Sequence, residues 1–493
     1  TRQMNFFKIS IFENFIHLHR KARKPKRILL VLGLIFLSDI LLYGGEVVIT
    51  GNFSKAAGEQ VQVFTYSDFL SLNETLLAQT TIDTQGYFTL EFQIEALQPI
   101  LLDIAFYRQI IYVEPQKTYH IQSHRFHVLE NGNPYIPRYF IDAEIFSESP
   151  SDSIFRGLEY HIYNFYDTTT TRLLNQPRTE FVELFVQKIL KNIPESIPEN
   201  YEKAILFRLA SLFPKAQLPS GYSTLDEIPI DYNNYEYFRW MEDFFRKKLL
   251  IENSLTASSK VSRALIMAVN KSVTYHQLQD TISKFFGIEK LDAKELYTLV
   301  ALKIFYSTPM FSNSSILYFL EQIRDDSHIE SHKRMAQNLL ERFTRLKPGS
   351  LLPDKVVKSY KGDSIRLREY SQKPLYIVFA RKECLTCLAN LEMLRPLSVK
   401  FKDQVNFLAI FTSHDTLADA RTIEQMNYPW PSVLGGRNYE LLRAFEAYAL
   451  PLEMLISPGG IIAAYPAYRV NEGLEITLQK MLMRALPSGS LHH

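Results

Sequence analysis

Tyr376-Ile-Val-Phe-Ala-Arg-Lys-Glu-Cys384-Leu-Thr-Cys387-Leu-Ala-Asn-Leu391 contains both cysteines of the 493-residue chain. Tyr376 to Phe379 reads as a buried strand, because its apolar run is continuous and does not alternate with polar residues. A helix opens at the cysteine pair and runs through Leu391 and Leu394. The same succession continues outward. Val405 to Phe411 is a second buried strand, and helices follow near Leu417 to Met426 and Asn438 to Ala447. Leu452 to Ile456 is a strand, Ser457-Pro-Gly-Gly460 a turn, Ile461 to Tyr465 another strand, and Glu472 to Leu486 the last helix. Apolar strands between helices define an α/β domain whose sheet is covered on both sides.

Cys384 and Cys387 stand three apart at a helix start, where free N–H groups and the helix dipole stabilise a thiolate and lower the first thiol's pKa. The spacing puts the sulfurs on adjoining parts of the first turn, so they can join or separate with little backbone movement. Cys384, at the outer end, is the expected attacking thiol. Cys387, deeper and more shielded, is the expected resolving thiol. Two cysteines exclude a disulfide-stapled scaffold and a four-thiolate metal site, and the lack of a closely spaced His argues against zinc.

The segment 351–486 resembles the thioredoxin-fold domain of TlpA/ResA-like thiol:disulfide oxidoreductases of the bacterial envelope. The resemblance rests on Gly362-Asp-Ser-Ile-Arg-Leu367, the strand after it, the Cys-x-x-Cys at a helix start, the strand at Val405, and Pro451 in Leu450-Pro-Leu-Glu-Met-Leu-Ile456. It implies a cis Leu450–Pro451 bond packed against the cysteine pair, with Leu450 offering backbone hydrogen bonds to a substrate strand. It also implies a redox-active Cys384–Cys387 disulfide with no other cofactor and no metal, substrate proteins that carry disulfides, and an upstream thioredoxin-like electron donor.

Two features depart from that pattern. Glu383 stands where many members carry an aromatic residue, commonly Trp, and its charge opposes those of Arg381 and Lys382 in setting the Cys384 pKa. Val378 stands where thioredoxin has a buried acid, so proton handling falls to water or to another group. His414 and Asp415, expected at the sheet edge that carries the cysteines, are either a proton relay or a solvated loop pair. Tyr428-Pro-Trp-Pro431 edges a substrate groove or packs as a corner. The alternative to an enzyme is a non-catalytic envelope binding or assembly module that uses the thioredoxin fold as a scaffold.

The compartment is read from the other end of the chain. Arg20, Lys21, Arg23, Lys24, Lys26 and Arg27 precede the apolar run Ile28 to Leu37, the layout of a secretory signal or signal anchor. Asp39 interrupts the run, so a signal cleaved near Gly45, or a weak membrane tether, fits better than a stable transmembrane helix. The expected location is the periplasm or cell envelope. Net charge is +2 for the whole chain. Residues 1–45 hold 8 Lys and Arg against 2 Asp and Glu, a net of +6, and the remainder 47 against 51, a net of −4. The body is therefore mildly acidic, with no basic footprint for nucleic acid.

At about 100 to 200 residues per domain, the length calls for several domains. Glu46 to Thr50, Gln60 to Thr65, Tyr87 to Phe92, Ile110 to Val113 and Thr118 to Gln122 read as strands of an all-β sandwich, with Asp83-Thr-Gln-Gly86 as a turn. From Ser151 to Leu346 the period is helical. One stripe holds Phe181, Leu184, Phe185, Ile189 and Leu190, another Tyr237, Phe238, Met241, Phe244, Phe245 and Leu249. Asp292-Ala-Lys-Glu295 reads as a capping box. Lys347-Pro-Gly-Ser350 and Pro353 mark a linker. The expected order is a signal or anchor at 1–45, a β-sandwich at 46–150, a helical domain at 151–346 and a thioredoxin-like α/β domain at 347–493.

Overall fold

Val47 and Ile49 alternate with outward-facing neighbours in β1 (Gly45–Asn52), and that alternation fixes which side of the first sheet is buried. The computed structural model describes residues 45–104, 107–128, 139–147, 150–175, 179–193, 197–252, 260–271, 274–413, 416–436, 438–447 and 449–485. The expected signal segment ahead of Gly45, and His414 and Asp415, lie outside the described residues. No helix among the described residues is long and apolar enough to cross a membrane.

Strands β2 (Gln60–Tyr66), β3 (Glu74–Thr81), β4 (Tyr87–Ile94), β5 (Gln98–Ile104), β6 (Tyr107–Val113), β7 (Thr118–Val128) and β8 (Tyr139–Ser147) complete two four-stranded sheets, ordered β4-β1-β7-β8 and β3-β2-β5-β6. Val47, Ile49, Val61, Val63, Leu90 and Ile100 share the core between them. The turn at Asp83 depends on Gly86, whose φ is +95°; a Cβ there would stand 2.5 Å from the Ser54 Cα. Strands β3, β5 and β8 escape the sequence reading. Strand β3 is an edge strand with little alternation, and β5 carries Pro99 in an otherwise unbroken apolar run.

Helices α1 (Pro150–Asn175), α2 (Thr179–Asn192), α3 (Glu199–Ala210), α4 (Tyr235–Arg246), α5 (Lys260–Lys271), α6 (Tyr275–Phe286), α7 (Leu291–Tyr306), α8 (Asn313–Asp326) and α9 (Glu330–Thr344) follow. The α4 stripe is fully buried from Tyr237 to Leu249, and its core also takes in Phe69 and Leu70 from the β2–β3 connection. The α2 stripe needs correction: Val182 and Ile189 face inward, while Leu184 is exposed.

The capping box at Asp292 does not form. Lys290 is the N-cap of α7 and makes no side-chain cap, and Glu295 is turned inward. There it accepts hydrogen bonds from Ser327 Oγ, from His332 Nδ1 at 2.8 Å and from Tyr275 OH at 3.2 Å, while His332 Nε2 pairs with Tyr232 OH at 2.8 Å. A buried charge satisfied this way is costly to orphan. His332→Ala is expected to lower unfolding stability by about 3 kcal/mol. Urea titration with a loss below about 0.5 kcal/mol would show the network to be dispensable.

The chain then forms β9 (Val356–Lys358), β10 (Ser364–Arg366), α10 (Leu367–Tyr370), β11 (Leu375–Ala380), α11 (Leu385–Lys400), β12 (Asn406–Phe411), α12 (Thr416–Met426), β13 (Ser432–Leu434), α13 (Tyr439–Ala444), β14 (Leu452–Ser457), β15 (Ile461–Ala464) and α14 (Leu474–Ala485). Five of these strands make one sheet, ordered β13-β12-β11-β14-β15, in which β12 runs parallel to β11 and β14 antiparallel to it. Strand β11 is buried throughout and splits its side chains between two cores. Tyr376, Val378 and Ala380 face the core that holds Cys384 and Cys387; Leu375, Ile377 and Phe379 face the other. Both faces are covered, as the unbroken apolar strands require.

Candidate active site

Strand β11 ends at Ala380, and four residues later the chain turns into α11 with Cys384 as its N-cap. The Cys384 sulfur accepts the Cys387 backbone N–H at 3.1 Å, so one free donor of the helix start is aimed at that sulfur. When Cys384 is a thiolate, this hydrogen bond and the helix dipole stabilise its charge. The two cysteines are joined in a disulfide, with their Cα atoms 5.2 Å apart. Leu385 and Thr386 between them are exposed.

The expected difference in shielding is absent. Cys384 and Cys387 are both 0% exposed, because the N-cap sulfur folds back over the first turn and into the same apolar core as its partner. What distinguishes Cys384 is its place at the helix start. A nucleophile reaches either sulfur only after the rim of that core has moved.

Leu450–Pro451 is a cis peptide bond. Because Leu452 pairs with Phe379 in antiparallel register, the bond sits at the end of the sheet where the chain leaves β11 for Cys384. Leu450 is half-buried and packs against the core that contains both cysteines. Tyr428 and Trp430 do not edge a groove: they are buried, stacked at 5.1 Å, and pack as a corner. The short edge strand β13 follows that corner.

Two buried carboxyl groups are tied to the segments that hold the dithiol, and neither was singled out from the sequence. Glu453, on β14, stands directly opposite Val378 on β11. Opposed residues of a sheet point to one face, so its carboxyl enters the side occupied by the cysteines. It accepts a hydrogen bond from Asn390 Nδ2 at 2.9 Å, and Asn390 lies one turn beyond Cys387 on α11. The Asn390 amide is fixed from its other end, where Oδ1 accepts the Val470 N–H at 3.3 Å. Burial pushes the Glu453 pKa from 4.5 up to about 7, opposed by Arg469 and the Asn390 hydrogen bond and reinforced by Glu472. A lone acid in the apolar run Leu452 to Ile456 was the available signal.

Asp419, in the first turn of α12, is completely buried. It accepts the Ser413 N–H at 2.8 Å and the Lys382 N–H at 3.3 Å, tying the loop ahead of Cys384 to the end of β12. Burial raises its pKa from 3.8 to about 7 despite those two hydrogen bonds. One carboxyl therefore braces the Cys384 loop, while the other lies beneath the Cys387 end of the helix.

No family model matches the chain. Over 124 residues, 25% of this chain and 71% of the relative, the sequence is 27% identical to the thiol-disulfide oxidoreductase ResA of Geobacillus kaustophilus. Among solved structures, the thioredoxin domain of a thiol-disulfide oxidoreductase from Bacteroides vulgatus aligns at 21% identity, covering 28% of this chain and 99% of that one, with a TM-score of 0.26. A thiol:disulfide interchange protein from Bacteroides sp. aligns at 23% identity over 30% of this chain and 99% of its own, with a TM-score of 0.27.

The strand order, the dithiol at a helix N-cap and the cis-proline at the same end of the sheet define a thioredoxin-like redox domain. Over the matched 124 residues the sequence is similar to that of ResA, which supports a disulfide oxidoreductase of the TlpA/ResA-like kind.

Proposed function

We propose that this chain is exported and exchanges disulfides with proteins of the cell envelope, with Cys384 as nucleophile, Cys387 as resolving thiol and Leu450–Pro451 as the substrate-binding edge. The observation that carries the reading is the Cys384 sulfur at the helix N-cap, hydrogen-bonded to the Cys387 N–H and disulfide-linked to Cys387. In the reducing direction the Cys384 thiolate attacks a substrate disulfide, forming a mixed disulfide and expelling one substrate thiolate. Cys387 then passes its proton to the Glu453 carboxylate and attacks Cys384 Sγ. The second substrate thiolate leaves, and the Cys384–Cys387 disulfide closes.

Two electrons have passed to the substrate, whose thiolates take protons from water. A thioredoxin-like dithiol donor restores the reduced pair. The reduced Cys384–Cys387 dithiol carries both electrons and ends as the disulfide, so the reaction needs no other cofactor. The backbone at Leu450 aligns the substrate segment as an added strand. In this reading the redox domain spans 347–493, the β-sandwich at 46–150 and the helices at 151–346 are accessory to it, and the basic and apolar stretch ahead of Gly45 directs export or tethers the chain to the inner membrane.

Cys387→Ser is expected to accumulate mixed disulfides through Cys384. After expression in a bacterial envelope and acid quenching, non-reducing electrophoresis should show dithiol-sensitive adducts that mass spectrometry maps to Cys384. A variant recovered wholly free of adducts, with Cys384 accessible to alkylation, would remove disulfide exchange with envelope proteins from the reading.

A further inference from the structure

Gln62 and Phe64 on β2 point away from the sandwich core, yet they are only 1% and 7% exposed. Their cover includes Arg443 of α13, which belongs to the redox domain. The Arg443 guanidinium lies 4.0 Å from the Phe64 ring centroid, donates to Gln62 Oε1 at 3.3 Å and forms an ion pair with Asp103 Oδ2. Asp103 is 4% exposed and faces Gln62 across the sheet. It is also gripped by Arg108, through Nε to Oδ1 at 2.7 Å and Nη2 to Oδ2 at 2.9 Å. Gln79, Gln62, Asp103 and Arg108 thus form one polar row across β3, β2, β5 and β6, with Gln62 donating to Gln79 Oε1 at 3.2 Å. A buried carboxylate held by two guanidinium groups is a strong and directional anchor.

The anchored helix leads straight to the active-site edge. Phe445, the next residue but one after Arg443, is fully buried with its ring 5.6 Å from Phe379 on β11, and its carbonyl accepts the Tyr465 hydroxyl. Glu440 pairs with Lys355 at 3.4 Å, and Glu446 pairs with Arg345 at the end of the helical region. Residues 440 to 446 are therefore fastened to three parts of the chain. A few residues later the backbone passes through cis Leu450–Pro451 into β14.

We propose that Arg443 is a positioning residue, which sets the Leu450–Pro451 edge by locking α13 onto the β3-β2-β5-β6 sheet and so makes substrate recognition depend on the β-sandwich. The inference rests on the proposed role of Leu450 in binding substrate. Arg443 touches neither sulfur. Its loss should therefore weaken the docking of a polypeptide that needs the edge, and spare a small disulfide that does not.

The test uses the full chain with insulin as the protein disulfide, cystine as the small one, and dithiothreitol as reductant. Arg443→Met keeps the apolar stem over Phe64 and removes the charge. It is expected to raise KM for insulin about tenfold with kcat little changed, while cystine reduction changes less than about twofold. Arg443→Lys, which keeps a cation at Asp103, should recover most of the loss. The reduction potential of the Cys384–Cys387 pair should be the same in all three proteins.

An unchanged insulin KM, or equal losses with insulin and cystine, would overturn the positioning role. Should Arg443→Met not fold, Asp103→Asn loosens the same pair from the sheet side and must give the same KM shift. Turnover that persists in Cys384→Ser would instead remove the redox reading beneath the proposal, so the two failures are distinguishable.

Discussion

Cys384→Ser is expected to reduce dithiol-driven insulin reduction to the uncatalysed background, a loss of at least about a thousandfold. The reason is chemical. A serine hydroxyl at the helix N-cap still accepts the Cys387 N–H, so the local fold survives, but it neither ionises near neutral pH nor forms a disulfide. Cys387 does not take over, because it lies inside the first turn and lacks the N-cap position that stabilises a thiolate. Stability must be compared with the reduced wild type. By loop entropy a disulfide spanning three positions contributes about 2 kcal/mol, which the variant loses whatever its role in catalysis. Equal turnover by wild type and variant would leave the dithiol as a structural link.

Burial of both sulfurs adds a condition to that chemistry. In-line attack on Cys384 Sγ needs an open approach, and Leu450 is among the residues packed at the rim of the core. A substrate strand that pairs with the Leu450 backbone would occupy that rim and displace its side chains as it docks. Recognition and exposure of the Cys384 sulfur would then be one event, and a poorly docked substrate would be attacked slowly even when the thiolate is formed.

The α/β region was legible from the sequence because its elements follow local rules. The unbroken run at Tyr376 is buried on both faces, the cysteines open a helix, and Pro451 precedes a strand. The long-range pairings were not. Strand β13 is three residues long and owes its place to β12 beside it. Glu295 reads as a cap by spacing, yet His332, which draws it inward, lies 37 residues away. The same holds at the site. Cys384 and Cys387 announce themselves, whereas the face entered by Glu453 depends on the antiparallel register of β14 against β11. Periodicity shows that a strand is buried, and partner strands decide which core each of its side chains enters.

That register yields the second large effect. Glu453→Gln is expected to slow resolution of the mixed disulfide about a hundredfold while leaving the fold intact, since the amide oxygen can still accept from Asn390. With its pKa raised to about 7, the wild-type carboxyl is part ionised at neutral pH, as the base proposed for the Cys387 proton must be. Resolution should therefore quicken as pH rises through about 7 in the wild type. In the variant that limb should vanish, leaving a rise that tracks the alkaline ionisation of the thiol itself.

Stability provides an independent check on the same carboxyl. A carboxyl whose folded pKa exceeds its unfolded value is stabilising below 4.5, and that contribution is lost as pH rises toward about 7. Glu453→Gln should remove its share of this slope. Asp419, raised from 3.8 to about 7, should keep supplying the rest, and Asp419→Asn should remove that share without moving the resolution limb. Stopped-flow decay of a preformed mixed disulfide across pH, together with urea unfolding at the same pH values, separates the two groups. A Glu453→Gln protein that loses the stability slope but resolves at the wild-type rate would show that Glu453 is buried beneath the dithiol without serving it, and would pass the Cys387 proton to water.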